Sequence, residues 1–204
     1  MLEVLSAVTG ELIAVFEDKE IADASVKALK QLLAPKIGLP RFRLRLLQDN
    51  CPLDDDQTFA MQVVQLVILE FLPPDREQDR AIMVACEEND DTQLAQQLNK
   101  PRSPDFQSAH QITPLFAAAS RGSLKCVLLL LEAGANKDQG RTDNGMTPLY
   151  IAAQNGHLEI VRSLVESGAN KDQGLTSSGA TPLSIATQNG HLEVVRFLVE
   201  SGAN

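Results

Sequence analysis

The strongest constraint on this chain is that it repeats itself. Residues 136–169 (NKDQGRTDNGMTPLYIAAQNGHLEIVRSLVESGA) and 170–203 (NKDQGLTSSGATPLSIATQNGHLEVVRFLVESGA) agree at 26 of 34 aligned positions. A fixed period of this kind marks a stacked architecture, in which no single unit can bury its apolar face alone. A third copy lies one period upstream, opening at Thr113-Pro114-Leu115 and closing at Gly134-Ala135-Asn136. A conventional single-core domain is therefore excluded for this part of the chain.

Each unit reads as two short helices. Thr147 and Thr181 stand directly before Pro148 and Pro182. A threonine cap followed by proline at the first helical position is a start signal, because that position needs no amide donor. The first helix, Pro148–Asn155, carries Leu149 and the small run Ile151-Ala152-Ala153, and Gly156 ends it. The second, Leu158–Ser167, places Ile160, Val161, Leu164 and Val165 on one face at helical spacing, and Gly168 closes it. The polar stretch 170–179 then projects as a turn towards the next unit.

These motifs resemble the ankyrin repeat. Its Thr-Pro-Leu signature stands at 113–115, 147–149 and 181–183, its Gly-His-Leu-Glu turn at 156–159 and 190–193, and its Gly-Ala-Asn closing turn recurs three times. Two departures matter. The histidine that usually follows Thr-Pro-Leu is here Phe116, Tyr150 or Ser184. The period of 34 exceeds the family's usual value of about 33, which implies one extra residue in the projecting turn. Residues 79–112 read as a degenerate capping unit, with helices over Ala81–Glu88 and Thr92–Leu98 and full repeats starting near 113, 147 and 181. No polar capping unit follows at Asn204, an arrangement that anticipates either further repeats or a frayed last unit.

Residues 1–74 follow another grammar and contain no repeat. Pro73 and Pro74, which lack amide donors, place the domain boundary there, leaving 75–204 as the array. The charged run Asp75–Arg80 is a short linker or the start of a helix. Met1–Ser6 alternates apolar and polar residues, Thr9-Gly10-Glu11 turns, and Leu12–Val15 returns as a hairpin partner. A helix over Ser25–Pro35 buries Val26, Leu29, Leu32 and Leu33. Leu44–Leu47 is a strand, Cys51–Asp56 a turn, and Val63–Phe71 a nearly continuous apolar strand that belongs at the sheet centre.

This order looks like the ubiquitin-like β-grasp domain, matched at Val8-Thr9-Gly10, Val26-Lys27-Ala28, Gly38-Leu39-Pro40 and Arg45-Leu46-Leu47. The resemblance implies an exposed apolar recognition patch at Val8, Leu47 and Val67. Conjugated members of that family end in Gly-Gly; here Phe71-Leu72-Pro73-Pro74 continues, so the module is integral and not a conjugated modifier. The expected fold class is thus α+β, a ubiquitin-like β-grasp roll followed by an all-α ankyrin-repeat solenoid.

Charge and chemistry narrow the function. With 27 acidic and 18 basic residues the net charge is -9, which argues against nucleic acid and anionic membranes as partners. The deficit is shared, since residues 1–74 hold 11 acidic and 7 basic residues and 75–204 hold 16 and 11. Neither half is a polyanion, so charge alone selects no partner. Cys51, Cys86 and Cys126 are odd in number and lack zinc spacing, which indicates reduced thiols and a cytoplasmic or nuclear protein. His157 and His191 occupy one repeat position and read as turn-stabilising residues. Asp54-Asp55-Asp56 reads as a solvated turn and not a cation site. No phosphate loop or nucleophile elbow is present, so neither enzyme chemistry nor a cofactor is expected.

Binding candidates come from the eight positions at which the two blocks differ. Most lie in the projecting turn or first helix, elements that line the concave face of such stacks. They nominate Arg141, Asp143, Asn144, Met146, Tyr150, Leu175 and Ser184, with Tyr150 and Met146 as anchors because aromatics and Met are enriched at interfaces. Drift at unconstrained surface positions would give the same pattern. The expected function is a monomeric, non-catalytic adaptor that grips a protein with its repeats and docks to ubiquitin-reading proteins. The alternatives are the targeting part of a larger enzyme, such as a ubiquitin ligase, and a structural spacer.

Overall fold

The computed structural model describes residues 2–6, 11–16, 25–48, 51–56, 63–69, 75–100 and 102–204. They fall into two compact units, Met1–Leu72 and Pro73–Asn204, and the architecture is α+β.

The first unit is a mixed sheet with a helix packed on it. Strands β1 (Leu2–Ser6), β2 (Leu12–Phe16), β3 (Leu44–Gln48), β4 (Cys51–Pro52) and β5 (Val63–Ile68) lie in the order β2-β1-β5-β3-β4. Only the β1–β5 pair is parallel, and β5 is flanked on both sides, as its apolar run requires. Alternation turns Leu2, Val4, Phe16, Leu44, Leu46, Val64 and Leu66 inward, where they meet Val26, Leu29 and Leu33 of helix α1 (Val26–Ile37). The Ser25 hydroxyl accepts the Ala28 amide to start α1, and Gly38 ends it at φ +74°. The turn expected at 9–11 and the strand tail at 70–71 lie wholly or partly outside the described residues.

Three expectations are corrected here. Helix α1 runs past Pro35 to Ile37, because the Gly38 amide still reaches the Ala34 carbonyl at 2.9 Å. Leu32 is 40% exposed. At 100° per residue it falls outside the arc of Val26, Leu29 and Leu33, and Lys30 takes the opposite flank. Asp55 is not in a solvated turn. Its carboxylate receives Lys30 Nζ at 2.5 Å and Arg41 Nη1 at 3.2 Å, with both cations buried, and its carbonyl accepts the Lys27 amide. The three adjacent carboxylates are therefore unequal.

The second unit is two layers of helices. First helices α2 (Arg76–Glu88), α4 (Pro114–Arg121), α6 (Pro148–Gln154) and α8 (Pro182–Gln188) pack in succession. Second helices α3 (Asp91–Leu98), α5 (Leu124–Glu132), α7 (Leu158–Glu166) and α9 (Leu192–Glu200) do the same behind them. The Thr113, Thr147 and Thr181 hydroxyls accept the amides of Phe116, Tyr150 and Ser184 at 3.2, 3.1 and 3.3 Å. Helix α2 starts earlier than the sequence predicts, since Asp75 caps it by accepting the Glu77 amide at 3.0 Å. The charged run is thus a helix start.

Hydrogen bonds recurring with the repeat join neighbouring units. Asp105, Asp138 and Asp172 each accept the amide of the following Asn136, Asn170 or Asn204 at 2.7 Å. The carbonyls of Ser120 and Gln154 face the Nε2 atoms of His157 and His191 at 3.3 and 2.9 Å. One unit earlier the Cys86 carbonyl accepts from Ser123, a shorter side chain at the same repeat position. The extra residue of the 34-residue period lies in the projecting turn: three residues separate Ser108 from Ile112, whose amide and carbonyl bond, and four separate Arg141 from Met146.

Candidate protein-binding surfaces

On the first unit, β3 and β5 set the residues implied by the resemblance. Leu47 lies opposite Gln65 and Val67 opposite Arg45, so Leu47 and Val67 are diagonal neighbours on the sheet face away from α1. Both are half-buried. Val8 lies outside the described residues. Leu5, Leu12 and Val15 share that outer face, with Leu12 58% and Val15 38% exposed. The strand pattern around Leu12–Val15 carried this signal, since both alternate sets of that strand are apolar and only one can face the core.

On the array, the residues nominated from repeat variation disperse. Arg141 and Asp143 pair with each other in a fork, Nε to Oδ1 at 3.0 Å and Nη2 to Oδ2 at 2.6 Å. That bond holds the Asp143 carboxyl below its ordinary range and raises Arg141. The Asn144 side chain accepts the Met146 amide at 2.9 Å, and its carbonyl accepts the Thr176 amide of the next unit at 3.0 Å. These groups shape the turn and link it onward. Met146 and Leu175 are half-buried and Ser184 is exposed.

Tyr150 is packed inside the array. It is only 4% exposed, and burial raises its hydroxyl above the ordinary value. It holds the position of Phe116 in the unit before and Ser184 in the unit after, on the middle of three successive first helices. As an anchor it would have to leave this packed site.

Concave space lies along α2 and α4. A small cleft of about 230 Å³ is lined by Glu87, Ile112, Phe116 and Ser120. A larger one of about 710 Å³ lies between α2 and the segment 106–110, with Arg76, Arg80, Met83, Phe106 and His110 on its walls. Beneath it Arg102, 8% exposed, forks onto Asp79 with both bonds at 2.8 Å. Repeat comparison missed this cleft because it forms where the period breaks down. The usable signal was the four-residue spacing of Arg76 and Arg80 on a capped helix.

No three His, Cys, Asp or Glu among the described residues are placed to hold a metal ion. No helix among them is long and apolar enough to cross a membrane.

Stacked helix pairs, capped by Thr-Pro and joined by recurring inter-unit bonds, define a repeat scaffold that presents surface. The family model for ankyrin repeats (3 copies) matches residues 82–174 and 141–204, more than half of the chain. The chain belongs to the ankyrin-repeat family, whose members are characteristically non-catalytic scaffolds that mediate protein–protein interactions. No curated protein gives a significant match.

Proposed function

We propose that this chain is a two-module adaptor. Residues 75–204 grip a protein target through the first-helix face, and residues 1–74 dock to ubiquitin-reading proteins through the outer face of the sheet. The observation that carries the first half is a solvent-open cleft of about 710 Å³ on a stack held rigid by inter-unit hydrogen bonds. A preorganised surface loses little entropy on binding. The second half is supported by the order β2-β1-β5-β3-β4, by the helix on one face, and by the apolar residues Leu5, Leu12, Val15, Leu47 and Val67 on the other. Apolar residues left on the sheet face away from the core, with Leu12 and Val15 exposed, suit an interaction surface.

The test for the second module is a titration of the isotope-labelled full chain with a helical ubiquitin-binding domain, read by amide chemical shifts. Shifts centred on Leu47 and Val67, abolished in Leu47→Asp/Val67→Asp with the remaining spectrum intact, are the expected result. Shifts confined to the array, or none with several such domains, would remove this role.

A further inference from the structure

The cleft beside α2 identifies the chemistry of the partner, on the reading that the array binds protein. Arg76, Arg80 and Met83 stand four and three residues apart, so one side of α2 presents two guanidinium groups and then a thioether. Opposite them the segment 106–110 brings in Phe106 and His110. Neither Arg76 nor Arg80 has an ion-pair partner among the described residues. The carboxylate of the cleft, Asp79, is already engaged by the buried Arg102. A chain of net charge -9 thus keeps, at an apolar cleft, two exposed arginines with no ion-pair partner among the described residues. At physiological salt, charges beyond about 8 Å are screened, so the local pair and not the overall charge sets what is attracted here.

The far wall is built in advance. The Ser108 amide bonds the Ile112 carbonyl at 3.0 Å, and the Gln111 amide bonds Ser108 at 2.9 Å. Asp105 receives the Asn136 amide at 2.7 Å, and the Thr142 hydroxyl bonds the Gln111 side chain. Gln111 itself sits at φ +60°, a backbone conformation held by these bonds. A ligand entering the cleft meets a formed wall.

We propose that this cleft binds an acidic peptide segment of a partner protein. An aliphatic or aromatic side chain of the segment rests on Met83 and Phe106, and Asp or Glu residues flanking it pair with Arg76 and Arg80. Arginine suits this because its planar fork meets a carboxylate through two parallel bonds and is weakly hydrated. Two arginines and an apolar floor do not suit a nucleic-acid backbone, which needs a run of phosphate contacts.

The test is a random peptide library displayed on phage and panned over the immobilised full chain, with the enriched peptides then measured by fluorescence anisotropy. The expected winners carry two or more acidic residues around an apolar one. Their affinity falls at least about tenfold in Arg76→Glu/Arg80→Glu and is unchanged in Arg196→Glu, an exposed control on α9. The double variant keeps its fold, since acidic residues in the first turns of α2 favour the helix dipole, and circular dichroism verifies this. Enriched peptides without acidic residues, or insensitive to the double variant, overturn this site while leaving the array a protein-binding surface. Failure to enrich any peptide overturns both.

Discussion

Replacing Gly156 by alanine tests whether histidine staples hold the stack together. Gly156 sits at φ +74°, and a Cβ built there would lie 2.6 Å from Nδ1 and 2.8 Å from Cε1 of His191. Two costs follow. An L-residue in the left-handed region loses about 1–2 kcal/mol. The imidazole must also move, which breaks its 2.9 Å contact with the Gln154 carbonyl and costs about 1 kcal/mol more. Gly190 supplies the reference, with the same φ of +74° and nothing within 4 Å of the added carbon. Gly156→Ala is therefore expected to destabilise by about 2–3 kcal/mol and Gly190→Ala by about 1–2. The decisive comparison is the cycle with His191→Ala. Once the ring is gone, alanine at 156 meets only the backbone cost, and the double variant should be more stable than the sum of the singles by about 1 kcal/mol. Urea unfolding followed by far-ultraviolet circular dichroism, which reports mainly the helical array, measures each corner. Strict additivity would refute the staple and leave Gly156 a turn residue only.

Four further expectations follow from the same geometry. Asp55→Ala removes the carboxylate that the buried Lys30 and Arg41 share and should cost the first unit about 3–5 kcal/mol in thermal or urea unfolding, whereas the exposed Asp56→Asn stays within about 0.5. Tyr150→Ala should lose about 3–5 kcal/mol of array stability while Tyr150→Phe loses little; a fully stable Tyr150→Ala would return Tyr150 to the surface. Burial pushes the Cys126 thiol from 9.0 up to about 11 and Cys86 higher still. Thiol reagents on the native chain at about pH 8 should therefore label Cys51, which is exposed, and reach the other two only on unfolding. Raised folded values also mean that stability is complete below pH 9.0 and falls as pH rises from there through about 11, because the unfolded thiols ionise first. A Cys86→Ala/Cys126→Ala chain should lose most of that alkaline slope.

The helices of the array were legible because their signals are local. A Thr cap, a proline one residue on and a glycine at the exit each act within a single turn, and repetition in the sequence removes ambiguity between neighbouring readings. The two histidines were also read correctly as turn residues, but their partners were not visible. Those partners are backbone carbonyls 37 residues away, and a carbonyl leaves no mark in a sequence. The Asp54-Asp55-Asp56 run shows the same limit from the other side. Three identical letters hide one half-buried ion-pair centre, since only the fold brings the buried Lys30 and Arg41 to Asp55.

The binding surface is harder to read from the sequence, for a more instructive reason. In a stack, a position can vary between units because its neighbours in the adjacent units vary, with no external partner involved. The series Phe116, Tyr150 and Ser184 runs from 7% and 4% exposure to an exposed residue, following how each helix is covered. Phe197, where the preceding block has Ser163, meets the Arg162 guanidinium of that block at 4.5 Å. Variation between near-identical repeats thus reports packing between units at least as strongly as contact with partners. Space for a ligand requires that two neighbouring elements fail to fill the gap between them, which close copies in register do not do. The open cleft accordingly appears at the degenerate unit, where the shorter turn at 108–112 meets a longer first helix whose arginines have no ion-pair partner among the described residues. In this chain, departure from the repeat locates the candidate site, and fidelity to the repeat locates the scaffold that holds it.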